Sequence, residues 1–419
     1  MLNRAASRAS EFASRYTLGT LMIVLLVTVI FYSVFDLCFA PSYLIGDWLI
    51  NYTQGFVRRG LMGQIILLLG HALHIPLPWM AVIIQIAIYS VFLYGVYRLA
   101  APLRRNLLWY CLLLSPATLP FMILNPGNGC RKEVLLFAAL PSVILLTRRG
   151  LSALALSLSI GALFAVMMLS HGAMFCCLPY FFAAIAVVTR DLKYMAKVSV
   201  GPFALAGLMI NLARLYPGNM AVAMGICRSV GGRWINIDDT RDLCAGAIRH
   251  LSWTVEHSRS EELQNLHFWP LYAVLAILSF APHIIALVRM YRRDHLHFEV
   301  KVIASAAVLC ALTSAPLFYL TIDWGRWIHM QAVCLLVVIL AAAHRAGSFQ
   351  PSSGTARSVR IPRRALLVIL AFLYCTCWTL PIYGGFPVRR GYLEVPLFFR
   401  HEFRFLHRIH AWQTIDRGW

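Results

Sequence analysis

Stretches of 17 to 23 residues built mainly from Leu, Ile, Val, Ala and Phe recur from one end of this 419-residue chain to the other. That recurrence leaves few folds open. About 20 helical residues cross the hydrocarbon of a bilayer, where each backbone N–H and C=O must find its partner within the protein. Alternating ten-residue strands, the mark of a membrane β-barrel, are absent. Hydrophobic residues make up 60% of the chain and charged ones 13%, against about a quarter charged in soluble domains. The chain reads as one all-α, polytopic membrane bundle over residues 1–419.

Eleven candidate spans fall at 17–39, 79–98, 106–123, 131–147, 151–169, 172–189, 197–215, 267–289, 301–320, 327–344 and 364–383. The segment 61–75 is short and holds Gln64, Gly70 and His71, so it reads as a re-entrant or interfacial helix inside an outer loop at 41–75. The first run, 16–40 with its flanks, exceeds a signal peptide's apolar core and no A-x-A-like site ends it; it reads as an uncleaved helix. With 61–75 not crossing, one side gathers twenty Lys and Arg in the N-terminus and connections, among them Arg4, Arg8, Arg15, Arg104, Arg148, Arg190 and Arg292. The short connections of the other side hold five: Arg58, Arg59, Arg131, Lys132 and Arg326. The positive-inside rule places the richer side in the cytoplasm, which puts the N-terminus inside and the C-terminus outside. The linker 345–363 is then cytoplasmic, and the loop 216–266 and the tail 384–419 are outer. Residues Leu243–His257 suit an amphipathic helix lying on the membrane. The net charge of +20 is spread over these loops, and no nucleic-acid motif accompanies it. Cys227 and Cys244 share the long loop, where a disulfide is open to them if the loop faces an oxidising compartment.

The ionisable residues with chemical promise all sit at one set of span ends. Asp47, Arg58 and Arg59 follow the first span. An acid followed by an arginine pair can supply a base and anion clamps, because the planar guanidinium makes bidentate charge-assisted bonds to phosphate; equally, Asp47 can cap a helix and the arginines can snorkel to the interface. Asn51-Tyr52-Thr53 matches a glycosylation sequon, read as chance. Arg131 and Lys132 stand where the irregular turn Asn125-Pro126-Gly127-Asn128-Gly129-Cys130 feeds a helix. Cations there oppose the helix dipole unless something negative binds; the plainer alternative pairs Lys132 with Glu133 on the surface. His171 lies at the junction of two spans and can relay a proton or hold a hydroxyl, or it is an interfacial residue beside a Ser170 cap. Asp323 and Arg326 are three apart and can pair with one another, while Trp324 and Trp327 fit an interfacial aromatic belt. Catalytic candidates are therefore Asp47, Asp323 and His171; candidates for binding a substrate phosphate are Arg58, Arg59, Arg131, Lys132 and Arg326. No cofactor is certain. Asp238-Asp239 and Glu261-Glu262 can bind a divalent cation, although such spacing more often marks a solvated turn.

The order Asn128-Gly129-Cys130-Arg131, then His171-Gly172-Ala173-Met174-Phe175 and Leu178-Pro179-Tyr180, resembles the EpsG/Wzy-type polysaccharide polymerases over roughly residues 125–182. There a G-x-R motif starts one span and an H-x-x-A-like motif a later one; this chain places Ala173 one position early and follows the arginine with Lys132-Glu133. An acid in the first outer loop, here Asp47, is similar to the arrangement of GT-C glycosyltransferases. The resemblance implies a GT-C/Wzy-like bundle acting as a glycosyltransferase or polysaccharide polymerase on polyprenyl-phosphate- or diphosphate-linked sugars at the outer face of a bacterial inner membrane, with Arg131 and His171 at the family's positions. The partners so implied are the lipid-linked glycan and membrane lipids, with no nucleic acid. The competing readings are a transporter or flippase for an anionic lipid or glycan, and a non-catalytic subunit of an envelope-glycan assembly.

Overall fold

The computed structural model describes residues 2–39, 43–103, 106–125, 129, 131–230, 243–254, 256–257, 259–260, 263, 266–321, 323–345 and 361–381. Among these residues there is no β-strand, only an isolated bridge between Thr53 and Gly55. The architecture is a polytopic helical bundle. In order the helices are α1 (Leu2–Phe39), α2 (Tyr43–Trp48), α3 (Gly60–Leu73), α4 (Leu77–Ala100), α5 (Leu107–Leu114) and α6 (Phe121–Leu124). Next come α7 (Val134–Arg148), α8 (Ala153–Ser170), α9 (Leu178–Thr189), α10 (Leu192–Leu215) and α11 (Met220–Val230). The last four are α12 (Trp269–Tyr291), α13 (His297–Leu320), α14 (Trp324–Arg345) and α15 (Ile361–Thr376).

Eight segments among the described residues are long and apolar enough to cross a membrane. Three of the eleven expected spans are not. Residues 131–147 become the 15-residue α7 and 364–383 the 16-residue α15. The expected span 106–123 is broken into α5 and α6, and the cause is proline. Pro116 forces Ser115 into extended backbone (φ −55°, ψ 134°), as a residue before proline must be, and Pro120 removes another N–H. Irregular backbone at this depth survives only inside protein. Ala117, Thr118 and Leu119 are fully buried, the Thr118 hydroxyl donates to the Leu112 carbonyl, and His329 Nδ1 lies 2.9 Å from the Ala117 carbonyl. The segment 61–75 is the 14-residue α3, shorter than the helices long enough to cross.

Helix α14 occupies the centre. It packs against α4, α7, α9, α12 and α13, and 94% of its membrane-length window is buried. A helix apolar on every face belongs in such a place. Two of its neighbours turn a face outward: the corresponding window of α13 is 22% buried and that of α12 33%. α8 and α10 form a pair beside α9, and α1 lies along α4, where the Ser33 hydroxyl donates to Gln85.

The long loop does not lie on the membrane as an amphipathic helix. Its α11 and the turns Cys244–Ile248 and Arg249–Ser252 form a cap packed on α2. Gly246 leaves helical backbone (φ −87°, ψ −117°) and breaks the expected helix. Leu243, Ile248 and Leu251 point into the protein, and the disulfide Cys227–Cys244 closes the cap. The linker residues 346–360, the tail 384–419, Asp238-Asp239 and Glu261-Glu262 lie outside the described residues.

Candidate functional site

The strip Gly46–Arg59 runs between the cap and the bundle. Gly46 meets the cap backbone so closely that a Cβ there would sit 2.2 Å from the Leu243 carbonyl oxygen. Asn51 is buried and donates to Ser229 of α11 at 2.9 Å, so the sequon is occupied by packing. The Arg58 backbone N–H donates to the Tyr216 carbonyl and its guanidinium to the His250 carbonyl at 3.3 Å. These contacts fix Asp47 and the arginine pair from the side of the cap. Gly46→Ala must therefore push the cap off the strip. The expected result is a chain that still inserts but becomes more readily cleaved by protease in the cap; unchanged cleavage would show that the backbone contact is not what seats it.

Arg59 precedes α3 in left-handed backbone (φ 67°, ψ 9°), a region that favours glycine. Its carbonyl accepts a 2.9 Å hydrogen bond from Lys132 Nζ. Lys132 is fully buried, with its Nζ 3.8 Å from Asp47 Oδ1. Lys132 therefore ties the strip to the start of α7.

Glu133 turns the other way. Arg326, in the first turn of α14, donates Nε to Glu133 Oε1 at 2.8 Å, and its Nη2 also contacts that oxygen. Arg326 Nη1 donates to Asp323 Oδ2 at 2.5 Å, and the guanidinium lies 4.5 Å from the Trp327 ring. Arg326 Nη2 faces His171 Nε2 at 2.8 Å. Arg131 Nη1 reaches Asp323 Oδ2 at 3.4 Å. The ends of α8 and α13 and the starts of α7 and α14 thus meet at one place, together with the loop that follows α1 and α2. The structure brings together six of the eight sequence-selected residues through side-chain ion pairs or hydrogen bonds; Arg59 enters through its backbone carbonyl, and Arg58 reaches the cap through the His250 carbonyl. Lys132 and Glu133 do not form the surface pair of the plainer reading, because neighbours at a non-helical turn point to opposite partners. Trp324 and Trp327 are buried rather than interfacial, and Trp327 Nε1 donates to Thr321. Glu133 was absent from the candidate residues. An acid on the arginine-bearing side of a short apolar segment needs a cation of its own, and that was the signal available. Asn128 and Cys130 lie outside the described residues.

Electrostatics assigns protons. A guanidinium has only donors, so His171 Nε2 accepts from Arg326 and the proton sits on Nδ1. Glu133 also lies 3.5 Å from Nε2, which would suit a charged ring. Burial, first, and then Arg59 and Arg326 hold the His171 pKa well below its ordinary value, so the ring is neutral. Burial pushes Asp323 up, but Arg326, Arg131 and Arg59 outweigh it and keep its carboxyl below the usual range. Asp47 differs from both. Its Oδ1 is buried and has no hydrogen-bond partner among the described residues, and it faces the charge of Lys132 Nζ at 3.8 Å. The Arg59 guanidinium makes no hydrogen bond or ion pair among the described residues. Five cations (Arg58, Arg59, Arg131, Lys132, Arg326) meet three acids (Asp47, Glu133, Asp323), an excess that favours an anion. No group of three His, Cys, Asp or Glu among the described residues could hold a metal.

Burial, first, and Arg59 lower the Lys132 pKa to about 8, against Asp47 and Glu133. The amine is charged below that pH and neutral above it, so the pocket loses one positive charge on the alkaline side. The stability contribution has the opposite sign: the unfolded lysine keeps its proton to about 10.4, so between these values stability from this group rises with pH. Affinity for inorganic pyrophosphate, measured by calorimetry from pH 7 to pH 9, should fall across pH 8; a flat profile would remove Lys132 from the field at the site.

The model of a family described as uncharacterised membrane protein Rv1490 matches residues 16–278. The matched stretch carries Asp47, Arg58, Arg59, Arg131 to Glu133, His171 and the cap, and stops before Asp323 and Arg326. No curated protein and no solved structure matches the chain.

Proposed function

The chain belongs to the Rv1490 family of uncharacterised membrane proteins, and from that premise we propose that its buried cationic site transfers a sugar from a polyprenyl-phosphate- or diphosphate-linked donor at the outer face of a bacterial inner membrane. The observation that carries this reading is a carboxylate oxygen of Asp47 with no hydrogen-bond partner among the described residues, in a buried cluster where cations outnumber acids. In the reaction, an acceptor hydroxyl attacks the anomeric carbon of the donor and a new C–O bond forms. The bond from that carbon to the phosphate oxygen breaks, and the phosphate leaves with the electron pair. Asp47 takes the hydroxyl proton. Arg59, with Arg58 and Arg131 beside it, stabilises the charge growing on the phosphate, worth ~3 kcal/mol for one well-placed donor. Asp323 and His171 are less suited to the base role, since Asp323 Oδ2 is held by two arginines and His171 Nε2 by one. Arg326 and Lys132 organise the pocket rather than meet substrate. The resemblance at Arg131 and His171 to EpsG/Wzy-type polymerases, and of Asp47 to the GT-C acid, supports the same class. The disulfide in the cap supports an outer placement, because such bonds persist in oxidising compartments.

Lipid-linked glycans extracted from a strain lacking the gene test this directly. Accumulated single repeat units point to a polymerase and truncated units to a monosaccharide transferase. Complementation should restore the normal pool with the wild-type gene but not with Asp47→Asn, expressed and inserted at the same level. An unchanged lipid pool in the deletion strain, or full rescue by Asp47→Asn, overturns the proposal.

A further inference from the structure

The cap carries a second feature that the charged pocket does not use. The rings of His250 and Trp253 lie 3.7 Å apart and 32° from parallel, and His257 meets Trp253 edge-on at 4.5 Å and 82°. His250 and Trp253 are half-buried and His257 is exposed, so this aromatic strip runs from the interior outward. Its inner end touches the pocket. The His250 carbonyl accepts from Arg58, and burial, Arg59 and Arg131 hold the His250 pKa down to about 4, leaving the ring neutral. Near the outer end the Arg259 guanidinium sits 5.3 Å from the Tyr319 ring, four residues before Asp323.

We propose that this strip is a saccharide-binding subsite, in which the sugar end of the ligand stacks on Trp253 while its charged end meets the cationic cluster that holds Arg59. A pyranose presents an apolar C–H face that packs on an aromatic ring and hydroxyls around its rim that need hydrogen bonds. The strip supplies both, from Trp253 and from the polar atoms of His250, His257 and Arg259. An interfacial tryptophan belt would turn its ring to lipid, whereas Trp253 lays its face on a histidine that looks toward the arginines. The rings brace one another, and the cap beneath them is tied down by Cys227–Cys244 and by the Gly46–Leu243 contact. Such a platform is ordered before ligand arrives, which lowers the entropic cost of binding. This inference rests on the ligand being a glycan, as in the proposed function, but not on the transfer chemistry.

The test uses the purified full-length protein in nanodiscs with two probes: an array of lipid-free bacterial oligosaccharides, and inorganic pyrophosphate by calorimetry. Wild type should retain at least one oligosaccharide. Trp253→Ala should weaken that binding about tenfold, the scale of one aromatic contact, while pyrophosphate binding stays unchanged, and Trp253→Phe should keep most of it. Arg59→Ala should show the reverse pattern. Unchanged glycan binding in Trp253→Ala, or none in wild type, overturns the subsite. Glycan binding that depends on Trp253, together with no pyrophosphate binding in wild type, keeps the subsite and removes the phosphate-linked donor.

Discussion

Replacing Arg326 with methionine is expected to cost on the order of 3–5 kcal/mol, the range found when one member of a buried ion pair is removed. One guanidinium serves Glu133 and Asp323 and donates to His171 Nε2, while stacking on Trp327. Methionine keeps much of the packing volume and none of the donors. Glu133 would then be buried against His171, a poor substitute because the ring is neutral. Lysine should rescue little, since a point charge cannot reach three acceptors arranged around a planar fork. The double variant Arg326→Met/Glu133→Leu should recover much of the loss, because removing both partners removes the unpaired charge as well. Melting temperatures in one detergent compare the three variants. If Arg326→Met melts with wild type, the guanidinium is not holding the acids together and the description of the site is wrong at its centre.

The second large effect separates stability from function. Arg59 holds left-handed backbone at a strain of roughly 1 kcal/mol that glycine does not feel. Arg59→Gly should therefore fold as well as wild type or slightly better, with the carbonyl that binds Lys132 still in place. It also deletes a cation of the cluster that no acid or carbonyl engages among the described residues. Turnover should fall roughly a hundredfold, as when a transition-state donor is removed. Activity assayed on membranes with matched protein levels, together with the melting temperature, decides the matter. A lower melting temperature with retained turnover would make Arg59 a structural residue and return the anion-binding role to Arg58 and Arg131.

How much of this was visible in the chain itself depends on the residue. The gathering of Asp47, Arg131, His171, Asp323 and Arg326 at shared span ends was readable, because hydrocarbon excludes charge and the polar residues had nowhere else to go. Their pairings were not. Arg131, Lys132 and Glu133 are consecutive, yet one faces Asp323, the next Asp47 and the third Arg326; only the coil before Val134 decides that. The break at Ser115 was hidden for a different reason. Hydropathy counts apolar side chains, and Pro116 and Pro120 interrupt the backbone without making 106–123 polar. The cap was misjudged because Leu243, Ile248 and Leu251 show the same spacing whether they meet lipid or α2. The free cysteines Cys177, Cys310 and Cys334, by contrast, are buried among apolar neighbours, where sequence alone puts such small side chains.

Helix α14 is enclosed by five others, and Arg326 stands at its mouth. A rod gripped on all sides cannot slide or turn without prising open every one of those seams at once, since close-packed interiors yield in jumps and not by degrees. The acid–arginine lattice it carries therefore behaves as an anvil. Pinning that central rod to one of its neighbours by a cross-link should therefore go unnoticed.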